Sequence, residues 1–267
     1  MPDRAFIDQL AEVWRSTAAV CEGLSPEQWE TMTDCPGWTV RDQLAHVIGT
    51  ESLLLGRPSP DPAPAGLGHV HNPIGEINEA WVEARRRLPG DKVLAEFEDV
   101  TGARLVALKA MTDEELEADT PSPIGVVPYA TFMEVRVMDC WTHEQDIRRA
   151  VGRPGHLQGA APTTALERLV SSLGYVVGKR VGPPDGSSVV LEMKGERTVA
   201  VVVRDGRARP TDPPADATVR ISTDVETYSC LATGRWTGDH AVASGRITFA
   251  GDEALGRRVV ENLSITP

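Results

Sequence analysis

Apolar residues recur at helical spacing through the first half of the chain. Ile7, Leu10, Ala11 and Trp14 share one face, which predicts a helix over residues 3–22. The stretch EGLSPEQW breaks it. Pro36 and Gly37 then form a turn, and Thr39 with Asp42 makes a T-x-x-D start for a second helix, from about Val40 to Leu55. Apolar positions cover most of that helix's circumference, so it should be well buried. Residues 57–75, rich in Pro and Gly, read as a long surface excursion of the kind that often carries function. Helical spacing returns over 76–88 and 91–111. DTPSPIGVVPYA reads as a Pro-containing loop. It leads into a strong helix, TFMEVRVMDCWTHEQDIRRAVG, which Gly152 and Pro154 stop. One more helix is expected over 162–180.

Beyond VGPPDGS the period changes from helical to alternating. SVVLEM and TVAVVVRDG read as strands around a KGE turn, and TVRIST as a third. DVETYSCLATG is a short helix, GRITFAG a last strand and DEALGRRVVENL a last helix. Helices come first and a small mixed sheet second, which predicts an α+β protein of two domains. The junction is expected within 153–185, giving a helical domain over 1–155 and a smaller α/β domain over 156–267.

Composition narrows the functions open to such a chain. Its 267 residues are 41% hydrophobic, enough for packed cores. A net charge of −12, from 39 acidic and 27 basic residues, argues against nucleic acid as a partner, because grip on phosphates needs clustered Lys and Arg. No run approaches the ~18 apolar residues of a membrane span, and the N-terminus lacks the pattern of a secretory leader. Cys21, Cys35, Cys140 and Cys230 form no CxxC pair, so a reduced, cytoplasmic setting is expected.

The candidate chemistry sits in D-C-W-T-H. Asp139 and His143, four apart, stack on one helical face, with Asp146 on the same side. A carboxylate and an imidazole so spaced can share a metal ion. A third ligand must then come from elsewhere, and His46 in the apolar LAHV segment is the natural source. The plainer alternatives are a helix ion pair and a hydrogen-bonded core histidine, which spacing alone favours. Cys140 points about 100° away from Asp139 around the helix and reads as a buried thiol. His69 and His71 form an H-x-H better explained as a solvated loop than as a metal site. Trp38 and Trp141 read as core or pocket wall. There is no G-x-S-x-G, no phosphate loop and no dinucleotide fingerprint.

C-P-G-W-T-V-R-D-Q-L-A-H-V over 35–47 and D-C-W-T-H-E-Q-D-I-R over 139–148 resemble, in order and spacing, two motifs of the DinB-like superfamily. They are most similar to its mycothiol-dependent maleylpyruvate isomerase branch. The resemblance implies a DinB-like metal-binding four-helix bundle with a sterol-carrier-like C-terminal domain. It implies His46, Asp139 and His143 as metal ligands, with Asp139 standing where many relatives carry Glu, so that the shorter side chain must still reach the ion. Asp146 matches an aspartate that orients the second histidine, the alternative being a cap or an ion pair with Arg148 or Arg149. Arg235 in TGRW is placed where related isomerases carry a catalytic arginine, although an ordinary turn arginine fits it better.

The resemblance further implies a divalent ion, zinc in the first instance, with mycothiol as thiol co-substrate. The expected function is transfer or isomerisation of a small electrophile through a metal-bound thiolate. Two other classes stay open: a non-catalytic small-ligand-binding protein with a structural metal, and a metal-dependent hydrolase. The chain is expected to act as a monomer or weak homodimer.

Overall fold

The helix starts at Pro26, Val40, Pro73 and Asp113, in the first half of the chain, are set by side chains that cap them. Ser25, Thr39 and Thr112 each accept the backbone N–H three residues on, while Gln28, Asp42 and Glu115 return the bond to the cap. The computed structural model describes residues 3–63 and 66–265, so 64–65 of the Pro/Gly-rich excursion lie outside it. It runs α1 (Ala5–Cys21), α2 (Pro26–Trp29), α3 (Val40–Leu54), α4 (Pro73–Glu83), α5 (Gly90–Ala110), α6 (Asp113–Glu117), β1 (Asp119–Ser122), β2 (Gly125–Pro128) and α7 (Tyr129–Ala150). Then follow α8 (Ala160–Val170), α9 (Leu173–Tyr175), a π-helical turn (Val176–Val181), β3 (Ser188–Met193), β4 (Arg197–Arg204), β5 (Arg207–Pro210), β6 (Val219–Thr223), α10 (Val225–Ala232), α11 (Gly238–Ala243), β7 (Thr248–Gly251) and α12 (Glu253–Glu261). No helix among the described residues is long and apolar enough to cross a membrane.

Two compact units divide within α8, between Ala165 and Leu166. In the first, α1, α3, α5 and α7 form a four-helix bundle in which each packs on two neighbours, and α4 lies against α3. Leu10, Leu44, Ile48, Phe97, Met133 and Trp141 fill its centre, fully buried. Each such side chain contributes roughly 1.5–3 kcal/mol through burial. Gly49 sits mid-helix for a packing reason: a Cβ there would lie 2.5 Å from the Trp81 side chain on α4.

Charge is buried in the bundle as well. Glu51 on α3 is fully buried and accepts from Arg104 on α5 (2.9 Å) and from Arg136 on α7 (2.9 and 2.8 Å). After α7 the chain is pinned back by His156. Its φ of 54° lies in the left-handed region, a conformation that costs a non-glycine residue about 1–3 kcal/mol. The imidazole bridges Glu144 (2.7 Å) and Glu12 (3.0 Å), and the His156 carbonyl accepts from Trp141 Nε1 (2.8 Å).

Hydrogen bonding to Glu144 raises the His156 pKa above its usual value. A raised histidine stabilises the fold fully below about pH 6.5, its unfolded value, and loses that contribution as pH rises through the folded pKa. The melting-temperature advantage of the wild type over His156→Asn should therefore be larger at pH 6 than at pH 9. An advantage that grows with pH would contradict the two-carboxylate clasp.

The second unit is a five-stranded sheet in the order β5-β4-β3-β6-β7. Only the β3–β6 pair is parallel. β3, the central strand, is buried along nearly its whole length, and α12 covers β6.

An α+β chain of a helical and a mixed-sheet part is thus what the structure shows. Several elements differ from the sequence reading. DTPSPIGVVP is a β-hairpin rather than a loop, its prolines tolerated on short exposed strands. The helix expected over 162–180 breaks after Val170. Beyond the break, Gly178 lets the chain approach β5 so closely that a Cβ would meet Ala208 N at 2.7 Å. β5 itself was hidden by its Arg-rich edge sequence. Asp205 and Gly206, both at positive φ, form the tight turn that starts it.

Candidate metal centre

Two helices of the bundle bring the three expected ligands together. α3 carries His46 and α7 carries Asp139 and His143, each directed at the other helix. One ligand atom from each residue lies within 4.8 Å of the others, so the group can hold a metal ion. His46 Nε2 stands 3.2 Å from Asp139 Oδ2, and His143 Nε2 stands 3.5 Å from Asp139 Oδ1. The shorter aspartate therefore already reaches both imidazoles, because α3 and α7 pack directly on each other.

The electrostatics suit ligation. Burial, with the charge of His143 nearby, pushes the His46 pKa down to about 4, against the upward pull of Asp139. The ring is neutral at pH 7 and keeps a lone pair for a cation. Burial would raise Asp139, but Arg136, His143 and His46 outweigh it and hold the carboxyl well below its usual range. Buried ring nitrogens are normally bonded, in a core histidine and in a metal ligand alike. The buried Nδ1 of His46 has no hydrogen-bond partner among the described residues. What favours ligation is the other edge of the ring, where Nε2 meets Asp139 beside His143.

Behind these residues stands a supporting layer that sequence reasoning only partly found. Asp146, fully buried, accepts from Arg149 at 2.5 Å through Oδ1 and faces His143 Nδ1 with Oδ2 at 3.5 Å. The ion pair is the firmer of these contacts, with Arg149 rather than Arg148 as the partner. The nearer acceptor for His143 Nδ1 is Gln43 Oε1, at 2.5 Å, which went unrecognised. Its signal was its place on α3, one turn before His46, as a polar residue in an apolar run. Arg136 was missed too. It joins Asp139 to Glu51 and so anchors the ligand to the buried charge cluster. Removing the group that orients a metal-bound histidine typically lowers affinity about 10–100-fold. Gln43→Ala should weaken zinc binding by that amount in calorimetric titration, and unchanged affinity would exclude this role for Gln43.

Trp38 forms the wall, its ring 5.1 Å from that of His46 and 5.7 Å from that of His143. Its indole N–H donates to Glu79 (2.9 Å), which also holds His69 (3.0 Å) and Arg86. His69 is thus docked beside the Gly37 turn rather than solvated, whereas His71 is exposed. Neither belongs to a potential ligand group among the described residues. Cys140 is buried, its pKa pushed up to about 12, and its sulfur accepts from Trp14 and Arg136. Arg235 belongs to the second unit, just past α10, where it donates to the Thr233 carbonyl at 2.9 Å.

The motifs that build this site extend into a match with a known family. The mycothiol maleylpyruvate isomerase N-terminal domain matches residues 10–148, and the C-terminal domain of the same family matches 163–258. The chain belongs to the mycothiol maleylpyruvate isomerase family. Within that setting it is 24% identical over 240 residues to an uncharacterized protein of Mycobacterium tuberculosis, covering 88% of this chain and 86% of that one. A second uncharacterized protein of that organism is 25% identical over 170 residues, covering 62% and 76%. The crystal structure of the mycothiol-dependent maleylpyruvate isomerase superposes with a TM-score of 0.61 at 17% identity, over 94% of this chain and 93% of that one. A histidine-to-alanine mutant of that enzyme gives 0.60. These structural likenesses establish the shared fold of the family.

Proposed function

We propose that this chain is a metal-dependent enzyme that uses a low-molecular-weight thiol, mycothiol, to act on a small electrophile, as a transferase or a cis–trans isomerase. The observation that carries this reading is the convergence of His46, Asp139 and His143, with His46 held neutral and Asp139 held ionised. The mycothiol-dependent maleylpyruvate isomerase that shares its fold supports the choice of thiol. Three protein ligands leave one position of a tetrahedral zinc open, and a cation there favours thiolate over thiol.

The chain's own groups do the rest. His46 and His143 offer lone pairs, and Asp139 supplies the anionic oxygen, held in place by Arg136. Trp38 covers the two imidazoles and keeps water from that side. In transfer, the sulfur bonds to the electrophilic carbon while the leaving group departs with its electron pair. In isomerisation, sulfur adds to the double bond, the resulting single bond rotates, and the same thiol is eliminated unchanged.

The test is turnover of maleylpyruvate and of an activated aryl chloride by zinc-loaded protein, with and without mycothiol. Conversion that needs both thiol and ion, and that a chelator stops, supports the reading. Hydrolysis of a substrate without thiol would replace it with the hydrolase. A zinc-loaded protein that binds no thiol in calorimetry would replace it with the binding protein. Arg235→Ala is informative beside these: lower turnover with unchanged zinc content makes Arg235 part of the machinery, and unchanged turnover leaves it the turn arginine that its bond to Thr233 describes.

A further inference from the structure

The other edge of the His143 ring faces a second set of ligand atoms. Cys35, His143 and Asp146 each place one potential ligand atom within 4.8 Å of the others. Whereas His143 Nε2 faces Asp139, its Nδ1 faces Asp146 Oδ2. The set is built rather than incidental. Cys35 lies in a tight turn closed by Thr33 N–H to the Trp38 carbonyl (3.0 Å) and Trp38 N–H to the Cys35 carbonyl (3.2 Å). Arg149 staples that turn to α7, donating to Asp34 on the turn (2.7 Å) and to Asp146 on the helix (2.5 Å). The staple uses Asp146 Oδ1 and leaves Oδ2 toward His143.

We infer that Cys35, Asp146 and His143 Nδ1 form a second cation position, suited to a thiophilic divalent ion and alternative to the first. This rests on the reading of His143 as a ligand. Charge supports it: with Cys35 as thiolate, the groups Asp34, Asp146, Cys35 and Arg149 sum to about −2, which a divalent ion neutralises. Softness supports it too, because thiolate favours ions such as cadmium or zinc over harder ones.

The two positions exclude each other for a simple reason. A neutral imidazole has one lone pair. With Nδ1–H donated to Gln43, Nε2 serves the ion at His46 and Asp139. With the lone pair on Nδ1, the Gln43 amide must turn away from the ring, Nε2–H turns to Asp139 and the ion lies with Cys35. His143 thus sets which position is filled, and total binding stays at one ion per chain.

Cadmium titration of the whole chain tests this by the ultraviolet sulfur-to-cadmium charge-transfer absorption. Cys21, Cys140 and Cys230 are buried, so the signal reports Cys35. Wild type and His46→Ala should both develop the band with one equivalent, while Cys35→Ser and His143→Ala should not. Zinc-loaded wild type should release its zinc as the band grows. Cadmium should also protect Cys35 from alkylation in intact folded protein, a readout independent of any variant's folding. No band in wild type and His46→Ala overturns the inference, as does an undiminished band in Cys35→Ser or the binding of two ions at once. The reading of the first site fails separately, if Cys35→Ser with His46→Ala binds zinc as tightly as Cys35→Ser alone.

Discussion

Purified His143→Ala protein is expected to carry essentially no zinc, and His46→Ala, made in a Cys35→Ser background, to bind it more than about 100-fold more weakly than Cys35→Ser alone. The threshold follows from physics: loss of an orienting partner typically costs 10–100-fold, and loss of a direct ligand must cost more. His143 offers a nitrogen to either cation position, so its removal is the more complete lesion. His46 serves only the first, alongside Asp139. Metal analysis after dialysis, followed by zinc titration, reads both effects. Retention of a full equivalent of tightly bound zinc in both variants would remove the site.

Glu51→Ala should produce the largest loss of stability in the helical unit. Glu51 is fully buried and is the shared carboxylate of Arg104 and Arg136, which are themselves only 2% and 4% exposed. Deleting one partner of a buried pair leaves an uncompensated charge, and such losses run to about 3–5 kcal/mol. Two arginines lose this carboxylate, while Arg136 keeps Asp139 and Arg104 keeps the Tyr129 hydroxyl, so the lower part of that range applies, which corresponds to a melting-temperature fall on the order of 10 °C. The change should also reach the ion. Arg136 spans Glu51 and Asp139, and without its anchor it holds Asp139 less firmly. Calorimetric melting of the metal-free variant isolates the stability effect, and zinc titration isolates the second. A fall of less than about 1 kcal/mol would mean that water or side-chain movement satisfies both arginines.

The helical unit was legible because its signals are local. Thr39 and Asp42 announce the start of α3, and the 3.6-residue spacing of Asp139, His143 and Asp146 sets them on one face of α7. What could not be read were contacts made by packing. Nothing in the spacing of Gln43 names His143, one hundred positions away, as its partner. Glu51 and Arg136 resemble ordinary helix charges until α3 and α7 are brought together. Cys35 looked like one of four scattered cysteines, and it takes tertiary contacts such as Arg149 to Asp34 and Gln43 to Thr33 to bring its turn to His143. In the sheet unit, Val-rich strands were plain, but β5 is short, Arg-rich and at the edge, so hydrophobic alternation could not mark it.

The central claim is that one divalent ion sits between α3 and α7 on His46, Asp139 and His143. The most direct measurement is a crystal of the zinc-loaded protein with anomalous diffraction recorded on both sides of the zinc edge. The account predicts one strong peak within bonding distance, about 2.0–2.2 Å, of His46 Nε2, His143 Nε2 and an Asp139 oxygen. A zinc-loaded crystal with no peak there, or with zinc bound only at sites that include none of these three residues, would contradict it.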